Sequence, residues 1–517
     1  MHVDLSELIT RHAAFTPQKA ALRFEGQTLS YVAFAARIDA AAAALSRDLG
    51  VRRGDRIAVL ALNHPDTLVL LYACARLGAI LLPLNWRLAT PELSYILQDA
   101  GAKAVFVAGD YLSVVPALQQ SLPQAAFLNL DDASSTLVSL TSLIAAAEGD
   151  GRGTRAGFSD PVLLMYTSGT TGRPKGALLR QEALFWNAVQ SQHMHNMTAE
   201  DHILTALPMF HVGSLNIHTT PALQLGATVT VHPRFAADQT LASIAQDRPS
   251  LAVLVPAAIR ALLAHADWAT TDMSSLRAVT TGSEQVHASV MKAFADKGVP
   301  VLQVFGSTET SPIAVYTRLG GDLDRGISAG LPGIACEVRV IDAEGQELPH
   351  GATGEIEVRG PNVFAGYWNN EAETRDVLRD DGWYRTGDIG TRDADGYFVI
   401  HDRRKNMIIS GGENIYPAEI ERVLAEHPGV LQCAVIGHPD PKWQEVPVAY
   451  VVRRPGVDVD ADTLIAHAFA NLARYKVPRR VEFMDALPAT ALGKVQHSKL
   501  RADLGRNPQR APTQAIG

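Results

Sequence analysis

The chain has 517 residues, 47% of them apolar and 19% charged, which is the composition of a folded globular protein with roughly two to four domains. Its net charge of −8 gives no reason to expect a nucleic-acid partner. The cysteines Cys74, Cys336 and Cys433 are too few and too widely spaced for a disulfide framework or a metal cluster, and they fit a reducing cytoplasm.

The N-terminus gives no sign of export. Residues 1–20 include acidic and basic side chains and lack the apolar core of a secretory signal. The longest apolar stretch, residues 68–84, is interrupted by Arg76 and Pro83 and is too short to span a bilayer. We therefore expect a cytoplasmic protein without a transmembrane anchor. Peripheral contact with a membrane stays open, as does the oligomeric state, with a homodimer among the options.

The first four hundred residues have the pattern of a layered α/β protein, because apolar runs of strand length alternate with alanine-rich amphipathic segments. The predicted strands are 56–62, 251–255, 276–280 and 299–305, and the predicted helices are 65–77 and 288–296. Gly78 is placed to end the first of these helices. Short alternating strands at 338–341 and 355–358 predict a small β unit within residues 330–360.

The pattern changes after Lys405, where a compact α+β segment is predicted. Its elements are strand 406–409, helix 418–426, strands 430–436 and 446–452, and helix 461–472. Residues 507–517 are polar, contain proline and are predicted to form a frayed tail.

One stretch, residues 166–176, is suited to binding a polyphosphate. It reads Tyr-Thr-Ser-Gly-Thr-Thr-Gly-Arg-Pro-Lys-Gly. Its glycines let the backbone turn with N–H groups exposed, its serine and threonine hydroxyls add donors, and Lys175 supplies a positive charge. The spacing differs from that of the nucleotide P-loop, because Gly176 is followed by a strand-like segment rather than a helix. The pattern predicts a phosphate-binding loop between two strands, with a polar linker as the alternative.

Further motifs follow in chain order. Phe-Gly-Ser-Thr-Glu, ending at Glu309, comes directly after an apolar run and so falls at the carboxyl end of a predicted parallel strand, where open α/β sheets place ligands. Tyr-Arg-Thr-Gly-Asp ends at Asp388, a charged segment with two glycines spans residues 402–417, and Leu-Gly-Lys-Val contains Lys494. Together with residues 166–176, these motifs resemble those of the acyl-adenylate-forming enzymes, in their acyl-CoA synthetase branch. The resemblance extends from residue 5 to residue 504.

The resemblance implies a fold and a reaction. The expected fold is a large N-terminal domain of layered α/β sheets with a small β-barrel-like unit, residues 1–404, followed by an α+β lid, residues 405–505, and a flexible tail, residues 506–517. Lys405 matches the hinge about which the lid rotates between two half-reactions, and Asn406 stands where many relatives have aspartate. The expected ligands are ATP, Mg²⁺, coenzyme A and a carboxylic acid, which is first joined to AMP and then transferred to the thiol.

The resemblance also assigns the nucleotide contacts. The residues around the β and γ phosphates would be Thr167, Ser168, Gly169, Thr170, Thr171, Gly172 and Lys175. Glu309 would bind Mg²⁺, with Thr170 as a further ligand. Asp388 would accept hydrogen bonds from the ribose, and Arg403 would donate to the ribose and phosphate side. The adenine-side and α-phosphate residues would be Gly282, Ser283, Glu284, Phe305, Gly306, Ser307 and Thr308, with Phe305 offering its ring face to adenine.

Lys494 and His211 join Glu309 as the implied catalytic residues. The Lys494 ammonium would bridge the attacking carboxylate oxygen and the α-phosphate, and so offset the charge that builds in the transition state. Taken alone, a lysine near the C-terminus is a surface residue. His211 matches an aromatic or histidine gate beside the acyl pocket, and we expect it to position rather than to transfer a proton.

The contacts with coenzyme A are implied at Arg87, Gly412, Trp443 and Arg479, with Trp443 against the adenine and Arg479 at a phosphate. A peptide-synthetase adenylation module is disfavoured, because Ala236 stands where such modules have an aspartate for the substrate ammonium. A ligase that loads an acyl carrier protein stays open. A non-catalytic nucleotide-binding protein would be expected to lack Lys494 or Glu309. For the acid, a fatty or aromatic monocarboxylate is favoured by a set of apolar residues that suggest an apolar pocket: Met209, Phe210, Val212, Leu215, Ile217 and Ile313.

Overall fold

The structure is a computed structural model, and it describes residues 4–131, 136–146, 156–167, 174–282, 288–410, 413–441, 443–490 and 495–506. The chain divides into two compact units. The first contains the described residues of Met1–Gly282, Ala288–Val338 and Glu357–Arg385, and the second those of Arg339–Ile356 and Thr386–Gly517. The domain boundary at Lys405 stays a prediction.

The strands follow one another along the whole chain. They are β1 (Ala20–Phe24), β2 (Gln27–Ser30), β3 (Arg56–Leu60), β4 (Ile80–Pro83), β5 (Ala104–Val107), β6 (Ala126–Asn129), β7 (Pro161–Thr167), β8 (Lys175–Arg180), β9 (His202–Thr205), β10 (Thr228–Val231), β11 (Leu251–Val253), β12 (Ala278–Gly282), β13 (Val301–Phe305), β14 (Val315–Tyr316), β15 (Leu331–Pro332), β16 (Glu337–Ile341), β17 (Thr353–Arg359), β18 (Tyr384–Arg392), β19 (Phe398–Arg403), β20 (Ile408–Ser410), β21 (Glu413–Ile415), β22 (Val430–Asp440), β23 (Gln444–Arg453) and β24 (Arg480–Phe483).

The α-helices lie between these strands. They are α1 (Leu5–Phe15), α2 (Tyr31–Arg47), α3 (Pro65–Leu77), α4 (Thr90–Ala100), α5 (Val115–Ser121), α6 (Leu140–Ala145), α7 (Gln181–His195), α8 (Val212–Ser214), α9 (Thr220–Leu225), α10 (Ala237–Gln246), α11 (Pro256–Leu263), α12 (Ala288–Ala295), α13 (Glu371–Val377), α14 (Pro417–Ala425), α15 (Ala461–Asn471) and α16 (His497–Arg506). Among them, α3 has the predicted bounds, and Gly78 ends it in the left-handed conformation with its N–H bonded to the Cys74 carbonyl.

Two large sheets form the first unit. One has the strand order β6-β5-β3-β4-β7-β8, and the other β15-β14-β13-β12-β11-β9-β10-β1-β2. Their central strands are parallel and buried, which explains why the sequence shows them as short, continuous apolar runs. The predicted layered α/β architecture is confirmed. The predicted strands 251–255 and 276–280 are placed at Leu251–Val253 and Ala278–Gly282.

The small β unit is an open sheet. Its four strands are ordered β16-β17-β18-β19, and no pairing of β16 with β19 closes it among the described residues. The expected barrel-like unit is therefore an open sheet, because its two outer strands are not hydrogen-bonded to each other among the described residues.

The second unit contains the predicted α+β segment. A five-stranded sheet in the order β21-β20-β23-β22, with β24 beside β23, packs against α14 and α15. The predicted strands 430–436 and 446–452 are the long antiparallel hairpin β22–β23, and the predicted strand 406–409 begins instead at Ile408. Strands β21 and β24 and helix α16 were not predicted from the sequence. Among the described residues, no helix combines the length and apolar character that crossing a bilayer requires.

Asn63 joins the two large sheets at the carboxyl ends of their parallel strands. It follows β3 of the six-stranded sheet, is 4% exposed, and donates from Nδ2 to the carbonyls of Leu207 (2.9 Å) and His232 (3.0 Å). Its Oδ1 accepts the Met209 N–H at 2.7 Å. Leu207 and His232 follow β9 and β10 of the nine-stranded sheet. One side chain therefore satisfies three backbone groups where the two sheet edges meet.

Asn63→Ala should lower the free energy of unfolding of the first unit by about 2–4 kcal/mol, because buried donors and acceptors lose their partners. Chemical denaturation followed by tryptophan fluorescence measures this change. Asn471→Ala is the control, since that exposed amide bonds only to its own helix, and its effect should stay within about 0.5 kcal/mol. Equal stability of the two variants would contradict the linking role of Asn63.

Candidate active site

The predicted phosphate loop connects two strands of the six-stranded sheet. β7 and β8 pair antiparallel, and the pair nearest the loop is Thr167 opposite Lys175. The prediction of one strand on each side is therefore confirmed. The loop candidates Ser168, Gly169, Thr170, Thr171 and Gly172 lie outside the described residues.

Lys175 occupies a confined position at the base of this loop, with a side chain that is 11% exposed. Its Nζ forms an ion pair with Glu373 and lies 5.2 Å from the centre of the Tyr367 ring. Burial lowers the pKa of Lys175, and the negative charge of Glu309 opposes that shift. The structure thus brings Lys175 and Glu309, which are far apart in sequence, into one electrostatic environment.

Glu309 is a buried carboxylate just beyond the carboxyl end of β13. Its residue is 8% exposed, and Oε1 accepts a hydrogen bond from the Tyr367 hydroxyl at 2.8 Å. Its backbone carbonyl accepts the Phe364 N–H at 2.8 Å, which fixes the turn that carries it. Tyr367 and Glu373 are site residues that sequence reasoning missed, because neither belongs to a motif whose chemistry can be read locally.

Close backbone packing explains why two of the predicted site positions are occupied by glycine. A Cβ on Gly306 would lie 1.8 Å from the Pro312 carbonyl oxygen, and one on Gly282 would lie 2.6 Å from the Val304 carbonyl oxygen. Gly282 and Val304 are paired in register on parallel β12 and β13. Phe305 ends β13, and Ser307 and Thr308 follow it. Ser283 and Glu284 lie outside the described residues.

Asp388 and Arg403 meet in the second unit. They are opposite each other on antiparallel β18 and β19, and Arg403 Nε lies 2.6 Å from Asp388 Oδ1. Asp388 is 5% exposed, and its N–H bonds to the Thr386 hydroxyl at 3.0 Å. The two residues predicted on the ribose side are therefore neighbours, and the pairing holds the carboxylate in one orientation.

An aromatic cluster surrounds Arg87 and His211 in the first unit. The Arg87 guanidinium lies 4.0 Å from the centre of the Trp86 ring and 5.9 Å from that of Phe210. The Trp86 and Phe210 rings pack edge to face at 6.4 Å. Burial and the positive charge of Arg87 lower the pKa of His211 to about 4. The imidazole is therefore neutral at pH 7.

Most of the apolar residues predicted around the acid are buried in the first unit. Five are at most 5% exposed: Met209, Val212, Leu215, Ile217 and Ile313. Residues Leu215–Thr219 form a π-helical turn after α8. A wide turn of this kind is frequent at functional sites.

The remaining candidates divide into two groups. Gly412 and Lys494 lie outside the described residues. Trp443, Arg479 and Lys405 are exposed residues of the second unit. The backbone N–H of Trp443 donates to Asp440 Oδ1 at 2.8 Å, and the backbone N–H of Arg479 donates to the Pro447 carbonyl at 2.9 Å. Both side chains are accessible, and their predicted roles with coenzyme A stay predictions.

Comparisons with known proteins agree with this fold. The family of AMP-binding enzymes matches residues 9–368, and the AMP-binding enzyme C-terminal domain matches residues 419–494. The indoleacetate–CoA ligase of Aromatoleum aromaticum is 45% identical, over 98% of this chain and 99% of its own length. A feruloyl-CoA synthase of Amycolatopsis is 40% identical, over 96% and 98%. The ATP-bound structure of MatB from Rhodopseudomonas palustris has a TM-score of 0.89 and 32% identity, over 97% and 99%.

The chain belongs to the family of AMP-binding enzymes. The resemblance to acyl-adenylate-forming enzymes of the acyl-CoA synthetase branch is thereby confirmed, since the relatives named above include CoA ligases that match almost end to end.

Tyr367→Phe should slow acyl-adenylate formation about tenfold, because a hydrogen bond to a charged group is worth about 1.5–3 kcal/mol and Glu309 would lose its partner. ATP–pyrophosphate exchange measures the rate. Tyr316→Phe is the matched control, since its hydroxyl bonds to the His193 ring at 2.9 Å rather than to a carboxylate. Unchanged exchange in Tyr367→Phe would argue against a role of this hydroxyl in the site.

Proposed function

We propose that the protein is an ATP-dependent acyl-CoA synthetase, which joins a carboxylic acid to AMP and then transfers the acyl group to coenzyme A, releasing pyrophosphate and AMP. The observation that carries the proposal is the joint placement of Lys175 and the buried Glu309 where two sheets end. A polyphosphate with its divalent cation needs one positive and one negative side chain within the same site.

The residues present fit Mg²⁺. Glu309 has one carboxylate oxygen bonded to Tyr367 and further acceptor capacity for a cation. An Mg²⁺ ion usually keeps several waters and shares phosphate oxygens, so one carboxylate and a loop hydroxyl such as that of Thr170 suffice. When bound, the ion would neutralise charge on the departing pyrophosphate.

The remaining proposed roles belong to side chains of each unit. Lys175 attracts the β and γ phosphates, and its contact with Glu373 limits its motion. Asp388 accepts the ribose hydroxyls, and Arg403, already bonded to it, donates on the phosphate side. Lys494 holds the carboxylate and the α-phosphate together, so that their mutual repulsion is offset as the new bond forms.

Coenzyme A is the acceptor that the residues favour. Trp443 and Arg479 are exposed aromatic and cationic side chains of the kind that bind adenine and phosphate, and Arg87 already stacks on an aromatic ring. Loading of an acyl carrier protein is the less supported alternative, since the relatives reported above are CoA ligases.

An aromatic acid is the substrate class that the site favours. Trp86, Phe210 and the neutral His211 form a ring-lined wall next to buried aliphatic residues. Edge-to-face contacts in such a wall suit a planar ring better than a flexible alkyl chain. The relatives named for indoleacetate and feruloyl-CoA support the same class.

The reaction is tested with a panel of indole-3-acetate, ferulate, benzoate and octanoate, each given ATP, Mg²⁺ and coenzyme A. Chromatography should show an acyl-CoA, AMP and pyrophosphate with at least one aromatic acid, and less product with octanoate. ADP and phosphate in place of AMP and pyrophosphate would overturn the proposed chemistry. Faster turnover of octanoate than of every aromatic acid would overturn the substrate class alone.

Lys494→Ala should slow adenylation on the order of 10²-fold or more, because the lost ammonium stabilises only the first transition state. The variant given pre-made acyl-adenylate and coenzyme A should form thioester at near the parent rate, since that step starts from a finished anhydride. ATP–pyrophosphate exchange and thioester formation are measured separately. Loss of both steps with a parent-like thermal melt would contradict the assigned role.

A further inference from the structure

The chain just before α13 runs alongside β8, the strand that begins at Lys175. Tyr367 and Ala177 form an isolated antiparallel bridge, and the Trp368 N–H donates to the Gly176 carbonyl at 2.7 Å. Both contacts are made by backbone, and all of these residues belong to the first unit. The first turn of α13 is therefore held close to the start of β8.

Glu373, in this first turn, has a carboxylate that is held in one orientation. The residue that caps α13, Asn370, accepts the Glu373 N–H on its side-chain oxygen at 3.2 Å. In return, Asn370 Nδ2 donates to Glu373 Oε2 at 3.0 Å. The other carboxylate oxygen, Oε1, forms the ion pair with Lys175 Nζ. The cap thus directs the negative charge of Glu373 at Lys175.

Lys175 has little room for a second anion. Its side chain is 11% exposed, and Nζ already lies between the Glu373 carboxylate and the face of the Tyr367 ring. A phosphate bound to Nζ would stand beside that carboxylate, and two anions so close repel each other. The Glu373 side chain is 23% exposed, so its carboxylate has access to water once it leaves Lys175. Phosphate and Glu373 therefore alternate at the ammonium.

We propose that Glu373 is a built-in competitor of the polyphosphate: it occupies Lys175 in the empty site, and the phosphates of ATP or of pyrophosphate displace it. The inference rests on the proposed role of Lys175 at the β and γ phosphates. A competing state weakens the apparent affinity of a ligand in proportion to the fraction of protein that it occupies. Glu373 thereby weakens the binding of ATP and also favours the departure of pyrophosphate after adenylation.

AMP separates this role from a merely structural one. It lacks the β and γ phosphates, so its affinity should not depend on whether Lys175 is occupied. The direction of the effect is also informative. Losing a contact that only supports the site should weaken the binding of nucleotides, whereas losing a competitor should strengthen the binding of polyphosphates alone.

Isothermal titration calorimetry of the full-length enzyme tests the proposal, with ATP, pyrophosphate and AMP each titrated in the presence of Mg²⁺ and without acid. Glu373→Gln removes the charge and keeps an amide oxygen in its place. It should lower the Kd for ATP and for pyrophosphate by about three- to tenfold, and leave that for AMP unchanged. Glu373→Asp withdraws the carboxylate by one methylene, so it should change the two affinities in the same direction by less.

Glu371→Gln is the matched control. Glu371 is an exposed residue of the same helix, and residues two apart do not share a helix face. The substitution changes the net charge as Glu373→Gln does, and salt at about 0.15 M screens its distant effect. All three affinities should equal those of the parent.

A double variant distinguishes competition from direct repulsion between Glu373 and the ligand. If Glu373 acts by occupying Lys175, then Glu373→Gln should bring no gain in affinity when it is added to Lys175→Met. A gain of the same size in that background would overturn the proposal. Unchanged or weaker binding of ATP in Glu373→Gln, or an equal gain for AMP, would overturn it as well.

Failure of the proposed function gives a different result. Unchanged affinity for ATP and pyrophosphate in Lys175→Met would refute the phosphate-binding role of Lys175, and the inference with it. Weakened binding in Lys175→Met together with parent-like binding in Glu373→Gln would refute only the competing role of Glu373.

Discussion

The first unit depends on how the carboxyl ends of two parallel sheets are held together. The Asn63 side chain bonds to three backbone groups of the nine-stranded sheet. Two of them, on Leu207 and Met209, follow β9, and the third, on His232, follows β10. Backbone groups at the ends of buried strands lack ladder partners, so without such a side chain they would stay unsatisfied. The segment that Asn63 fixes continues directly to Phe210 and His211. The position of the proposed acid-binding wall is therefore set by a residue that need not contact the acid.

Charge burial is the second constraint on this site. A polyphosphate site needs a positively charged side chain, yet burying a lysine or glutamate without a partner costs free energy. Glu373 and Tyr367 resolve the conflict by giving Lys175 and Glu309 one local partner each. A charged ligand can then exchange these contacts for its own. Lys175 on β8 and Glu309 after β13 can therefore both be buried without destabilising the sheet edges that carry them.

The second unit repeats this principle with different residues. Asp388 and Arg403 neutralise each other across two strands, and Glu421 connects a helix, a strand and His497 through one oxygen. Arg501 of α16 also donates to the carbonyls of Lys405 and Asn406, so that helix is bonded to the chain just before β20. The ion pairs of the second unit are therefore suited to hold its helices and strands in fixed positions relative to one another.

The sequence by itself determined the layered α/β class, the loop between β7 and β8, the placement of Glu309 after a parallel strand and the helix that Gly78 ends. These features are local: apolar runs, the periodicity of side chains and the conformations open to glycine act over a few residues. Strand β20 begins two residues and ends one residue later than predicted, and α16 was missed because its polar sequence has little apolar periodicity to reveal a helix.

Only the tertiary structure determines which distant residues become hydrogen-bond partners. Tyr367 is 58 residues from Glu309, His497 is 76 from Glu421, and Asn63 is 144 from Leu207. In sequence each is an ordinary polar residue, since a hydrogen bond depends on distance and direction in space and leaves no local pattern. The short motifs indicate which chemistry the chain performs, and the long-range contacts determine how its residues are held to perform it.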